Sequence, residues 1–219
     1  MNANKPACDV HRRRFLLAGW LAMATAAALP AAEPRIVFTK TFPGSNPAFV
    51  EITVERSGEA GYKEAAGDDP DTFKLAPDVT AEIFSLADKL DRFKHPLESG
   101  LRVANMGAKR FRWESGAEKG EVTFNYSTDE NAKALQDWFE RIGESERLFY
   151  TLQRATRHDR LGVNDAMLSI QSEWDNRRLI LLDPLVTLLE QVAANEAFMH
   201  IARERAARMV DAIHARQKQ

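Results

Sequence analysis

The sequence predicts an α+β fold: an antiparallel sheet of about four or five strands with one packed helix, followed by a long-helix C-terminal hairpin or bundle. Three observations predict it. Apolar and polar residues alternate between 36 and 62 and again between 109 and 126, which is the period of a half-buried strand. A single stretch at helical period, 77–93, lies between those two blocks. After 127 the helical period takes over and runs almost to the C-terminus.

The strands begin with Ile36-Val37-Phe38, and Pro43-Gly44-Ser45-Asn46-Pro47 ends the first of them in a loop. Val50, Ile52 and Val54 then alternate with Glu51, Thr53 and Glu55, and Ser57-Gly58 turns the chain into a partner strand containing Ala60 and Tyr62. Ala66-Gly67-Asp68-Asp69-Pro70-Asp71 reads as a polar loop, with a short strand near Phe73 to Leu75 behind it.

The helix that follows starts at Pro77, where a missing backbone donor costs nothing, with Asp78 and Glu82 near its positive end. Val79, Ile83, Leu86, Leu90 and Phe93 make its apolar stripe, while Glu82, Asp88, Lys89 and Asp91 make its wet side. A second hairpin pairs Lys109–Glu114 with Glu121–Tyr126 through Gly116 and Gly120. It offers Phe111 and Trp113 on one strand and Val122, Phe124 and Tyr126 on the other, each contributing about 1.5–3 kcal/mol if packed on the helix.

Ser127-Thr128-Asp129-Glu130 has the spacing of a capping box and predicts a helix start at that point. Leu135, Trp138, Phe139, Ile142, Phe149 and Leu152 continue as a stripe of one long helix or two nearly collinear ones, since Gly143 weakens the middle by about 1 kcal/mol. Asn164 is expected to cap a further helix with Met167, Leu168, Ile170 and Trp174, extended by the apolar run Leu179 to Leu182. Asp183-Pro184 restarts the chain into a last helix using Leu185, Leu188, Leu189, Val192, Met199, Met209, Val210 and Ile213. Three such helices would pack as an antiparallel bundle or hairpin against the β region.

The first residues read as an address. Lys5, Arg12, Arg13 and Arg14 precede an uncharged apolar run from Phe15 to Leu29 and small residues ending Pro30-Ala31-Ala32. That run is shorter than the ~20 residues an ordinary membrane-spanning helix needs. The division expected is a signal peptide over 1–32, an α+β sheet domain over 33–126 and a helical region over 127–219. Cleavage after Ala28, Ala31 or Ala32 fits the small-residue rule about equally. The single cysteine, Cys8, lies in the leader, so a processed chain has no disulfide and depends on packing. Removing 1–32 from 219 residues leaves about 187, enough for a sizeable core, and takes the formal charge from -2 to about -5. That mild acidity is the opposite of a nucleic-acid binder's basic stripe.

Arg12-Arg13-Arg14-Phe15-Leu16 resembles the twin-arginine export signal, two arginines, any residue, then Phe-Leu; Arg12, Arg13, Phe15 and Leu16 are the matching positions. His11 and Leu17 depart from the flanking residues that signal favours, so ordinary Sec export with a basic leader is the alternative. The twin-arginine resemblance implies export of an already folded protein to the periplasm or beyond. Pro47-Ala48-Phe49-Val50-Glu51-Ile52-Thr53-Val54, Gly58, Tyr62 and Ile83-Phe84 are also similar to the hairpin-plus-helix modules of uncharacterised exported bacterial proteins. That resemblance covers about a third of the chain and implies a fold only.

Residues with chemistry are sparse. Glu196, His200 and Glu204 stand four apart and would serve as metal ligands only if another helix brought carboxylates; the plainer reading is an exposed charge-paired stripe with Arg203 and Arg208. Asp68, Asp69 and Asp71 lack the glycine and distal glutamate of a calcium loop. His158 and Asp159 are adjacent, so they point apart on a helix. Arg110 and Arg112 alternate with Phe111 and Trp113, which places cations and aromatics on opposite faces of a strand and not on one stacking platform. No phosphate-binding glycine loop, dinucleotide fingerprint or nucleophile elbow is present.

The expectation is therefore an exported soluble protein that acts as a non-catalytic binding or interaction module, its partner another exported protein, with no cofactor, no nucleic acid and no stable membrane insertion after cleavage. The alternative is a secreted hydrolase-like enzyme whose catalytic residues are scattered through the sequence. Replacing Arg12→Lys together with Arg13→Lys is expected to stop maturation by the twin-arginine route, read as loss of the processed chain from the periplasmic fraction by mass spectrometry; normal processing of the variant would leave only Sec export.

Overall fold

The structure, a computed structural model, describes residues 33–217. The leader, including Arg12, Arg13, Phe15 and Leu16, lies outside the described residues.

The alternating segments form one antiparallel sheet. Its strands are β1 (Arg35–Thr41), β2 (Phe49–Glu55), β3 (Glu59–Lys63), β4 (Asp71–Lys74), β5 (Ala108–Ser115) and β6 (Glu118–Phe124), in the order β4-β3-β2-β1-β5-β6. Six strands, against the four or five expected, follow from the place of β1. It pairs β2 along one edge, with Phe38 opposite Ile52, and β5 along the other, with Phe38 opposite Phe111. The two hairpins are thereby joined into a single surface.

Alternation puts Ile36, Phe38, Ile52, Val54, Phe111, Trp113, Val122 and Phe124 on one face, all buried. Helix α1 (Pro77–Lys89) covers part of that face with Ile83, Phe84 and Leu86. Phe38 stacks on Phe139 of the following helix at 5.0 Å, and Phe111 lies 5.2 Å from Phe93 and 5.4 Å from Phe124. On the opposite face Val37 and Thr39 are covered by long charged side chains, paired as Arg35 with Glu114, Arg112 with Glu114 (3.0 Å) and Lys63 with Glu51 (3.1 Å). The arginines of β5 are thus spread over the wet face, and Phe111 and Trp113 are core.

The turn of the second hairpin sits at Gly116, while Gly120 lies inside β6 opposite Trp113. A side chain at Gly120 would collide with the carbonyl oxygen of Arg92. Glycine is required there by close approach, not by a turn. The approaching segment is a tight turn over Asp91–Phe93 with φ of 48°, 53° and 64°, left-handed values that are costly for non-glycine residues. Buried Phe93 and the stacking of Arg92 over Trp113 at 4.9 Å hold it, with Arg92 also bonded to Asp88 (2.9 Å) and Glu118 (2.7 Å).

Four helices follow, where three were expected. α2 (Glu130–His158) is a single helix of 29 residues, capped by Asp129, whose carboxylate accepts from the amides of Asn131 and Ala132. Ser127, the expected cap, instead accepts from the Asp129 amide and lies two residues before the actual cap. α3 (Gly162–Asp175) starts before Asn164, whose side chain accepts from Arg205 at 2.7 Å. α4 (Leu182–Ala194) includes the Asp183-Pro184 pair in its first turn. The expected last helix is broken at 195–199, after which α5 (His200–Gln217) doubles back on α4. Asn195 makes the break: its side chain accepts from the Ala197 amide and its carbonyl from the Phe198 amide.

Residues 33–217 belong to one compact unit with two apolar cores. The first half of α2 (Ala132, Leu135, Phe139, Ile142) belongs to the sheet core, and its second half (Leu148, Leu152, Ala155) to a core built from α3, α4 and α5. The boundary expected at 126/127 coincides with the approach to α2, but the helix that starts there serves both sides. Gly143 lies where α2 passes over β2 and β3, but a Cβ there would stand 3.5 Å from both Ile52 and Tyr62, ordinary contact, and α2 runs through it as one helix.

Candidate functional site

Two concavities flank the sheet core. The larger, about 1160 Å³, is a groove between α1 and the segment that enters α4. Its apolar lining is Leu75, Ala81 and Phe84 on one side and Ile180, Leu181 and Pro184 on the other. Leu75, Phe84 and Leu181 are themselves part of the sheet core, so the floor is rigid. Arg56, Lys74 and Lys89 stand around it with Asp88 and Asp183. Arg56 lies over the Phe84 ring at 4.8 Å and 3.7 Å from Asp88, and Lys74 is 3.6 Å from Glu59. The first turns of α1 and α4 both line the groove, and neither helix has a side-chain cap. Positive helix ends and lysines together make the groove attractive to acidic groups around an apolar floor.

The second concavity, about 570 Å³, lies between the β3–β4 connection and the second half of α2. It is polar. Asp68, Asp69 and Asp71 line it from one side and Arg147, Arg154 and Arg157 from the other. The Tyr62 hydroxyl donates to Glu64 at 2.6 Å, and Tyr150 is hydrogen-bonded to Asp71. Burial, then the hydrogen bond to Glu64, raises the Tyr62 hydroxyl's pKa above the usual tyrosine range; burial and the charge of Glu146 raise that of Tyr150.

Glu146 is the one carboxyl among the described residues whose titration is moved into the neutral range. It is 4% exposed, and burial, helped by the negative charge of Asp71, raises it from 4.5 to about 7. The residue was missed in the sequence because it occupies a core position. It follows Leu135, Phe139 and Ile142 at helical spacing, and a carboxylate at the next position of an apolar stripe is the signal that was available. Lys109 was missed in the same way. Its parity with Phe111 and Trp113 turns it inward, where it is 2% exposed, donates to the Asn125 carbonyl at 2.7 Å and has a lowered pKa through desolvation.

The residues singled out from sequence are not brought together. Glu196 lies in the turn between α4 and α5, ahead of the helix that carries His200 and Glu204, so the three do not share a helical face. His200 and Glu204 are exposed and 3.2 Å apart, and Glu204 is 3.9 Å from Arg208. No cluster of three potential metal ligands occurs among the described residues. His158 ends α2 at the rim of the polar cleft, while Asp159 turns away to accept from the Gly162 amide. Among the described residues no helix is long and apolar enough to cross a membrane.

No protein-family model matches the chain, and no curated protein matches it either.

Because Glu146 is protonated in the folded protein at pH values where it is ionised in the unfolded chain, folding takes up a proton between about pH 4.5 and 7, and stability falls as pH rises through that window. Urea titrations of the wild type are expected to lose up to about 1.4 kcal/mol per pH unit there from this group, and Glu146→Gln to flatten that slope and be the more stable protein at pH 8. A variant with an unchanged slope would show that Glu146 is not the titrating group.

Proposed function

We propose that this chain is an exported, non-catalytic binding module whose α1–α4 groove takes an apolar segment of another exported protein carrying acidic residues beside it. The observation that supports this most is the groove itself. At about 1160 Å³ it exceeds the roughly 300–1,000 Å³ of ordinary small-molecule pockets, and its floor is made of core side chains that do not need to move. Its charges select the flanks. Lys89 makes no ion pair among the described residues, and two uncapped helix starts stand within the same lining. Acidic groups would satisfy those donors, and an apolar side chain would cover the exposed Pro77, Ala81 and Pro184. Export rests on the leader pattern at Arg12, Arg13, Phe15 and Leu16, and location in the periplasm or outside the cell belongs to the same proposal.

The hydrolase-like alternative is favoured by one observation, a carboxyl poised near neutral pH beside a polar cleft. Glu146 has the titration range of a general acid or base, and Asp71, Tyr62 and Tyr150 stand around it. An enzyme of that kind would lose its activity in Glu146→Gln with the groove untouched.

Selection of displayed short peptides on the wild-type protein tests the groove. Ala81 is exposed in the groove wall, so Ala81→Arg obstructs it without entering the core. Selected peptides are expected to combine apolar residues with Asp or Glu and to bind Ala81→Arg and Lys74→Glu at least about tenfold more weakly. Peptides that bind both variants as well as the wild type would contradict the groove as the docking site.

A further inference from the structure

The polar cleft carries a second site, separate from the groove. Its two walls bear opposite charge, yet no ion pair joins them among the described residues. Arg147 is paired within its own helix, to Glu144 at 3.1 Å, and Arg154 and Arg157 have no carboxylate partner among the described residues. Across the cleft Asp68 and Asp69 likewise make no ion pair among the described residues. The β3–β4 connection and α2 face each other across about 570 Å³. The acidic wall has two fixed members. Asp71 is the first residue of β4 and is held by Tyr150, and Glu64 is held by the Tyr62 hydroxyl. Glu146 is buried behind the cleft and is not among its lining residues; it has no hydrogen-bond partner among the described residues, and the charge of Asp71 acts on it.

We propose that the cleft binds a small zwitterion of short-peptide size, its ammonium group on the Asp68–Asp71 wall and its carboxylate between Arg154 and Arg157. A ligand with one charge satisfies only one wall and leaves the other facing it with nothing gained. A ligand with both charges, spaced to span the cleft, makes charge-assisted hydrogen bonds at its two ends and aligns with the field between the walls. The volume falls within the usual range of small-ligand sites. The high polarity of the lining, unlike the groove, gives an apolar ligand nothing to bury against. This site stands whether or not the groove takes a partner.

Calorimetric titration of the full processed protein with triglycine, N-acetyltriglycine and triglycinamide tests the proposal, since the three differ only in which end is charged. Triglycine is expected to bind, and each blocked analogue to bind at least about tenfold more weakly. Arg154→Gln with Arg157→Gln, and separately Asp68→Asn with Asp69→Asn, are expected to weaken triglycine by a similar factor. All four side chains are exposed, so the fold is retained, and circular dichroism verifies it. Equal binding of the blocked analogues, unchanged binding by either double variant, or no heat with millimolar triglycine would overturn it.

Discussion

The structure depends on one helix lying in two cores. The side chains of α2 from Ala132 to Ile142 complete the interior of the sheet, and those from Leu148 to Ala155 complete the interior of the helical bundle. Neither core is closed without it. At the sheet, Phe139 stacks on Phe38 and reaches Phe111, and the strand pairs β1–β2 and β1–β5 meet beneath those rings. At the bundle, Leu148, Leu152 and Ala155 share one apolar cluster with Val163, Met167 and Leu189, while α4 and α5 pack on each other. A helix of this length is stabilised by such packing more than by its own propensity.

Where the helix passes from one core to the other, its inward positions are polar. Ser145 and Glu146 are both buried there. Ser145 donates to the Arg141 carbonyl and accepts from the Ile180 amide at 3.2 Å, which ties the strap between α3 and α4 to the side of α2. Arg141 reaches the carbonyls of Arg177 and Arg178, and Arg178 meets Asp137 at 3.0 Å. That strap carries Ile180 and Leu181, one wall of the groove, and the same junction brings Glu146 near the polar cleft. The polar cleft is thus lined by α2 itself, and α2 bears on the groove through the strap it holds. Burying polar groups at such a junction costs free energy unless they are bonded, and Ser145 is.

Local order was legible in the sequence wherever one face of an element had to be dry. Alternation located Val50, Ile52 and Val54, and helical spacing located Ile83, Leu86 and Phe139, because burial imposes those periods. Strand order was not legible. That β1 sits between two hairpins depends on pairing over 79 residues, as between Arg35 and Glu114, and nothing local encodes it. The break after Ala194 was hidden since Val192 and Phe198 continue an apolar pattern with no glycine or proline between them; Asn195 alone carried the signal. The same limit explains the sites. The groove joins residues near 80 with residues near 182, and the cleft joins 62–71 with 147–158. Glu146 and Lys109 were legible by position, as charged residues in inward places, and were passed over because pattern reading attends to what is apolar.

Native-state hydrogen exchange along α2 tests the shared helix most directly. If both cores close on it, the amides around Phe139–Ile142 and those around Leu148–Leu152 exchange through one opening, with the same free energy and the same denaturant dependence. Exchange of the second stretch at a clearly lower free energy, with the first still protected, would contradict it and make the helical half an independent unit.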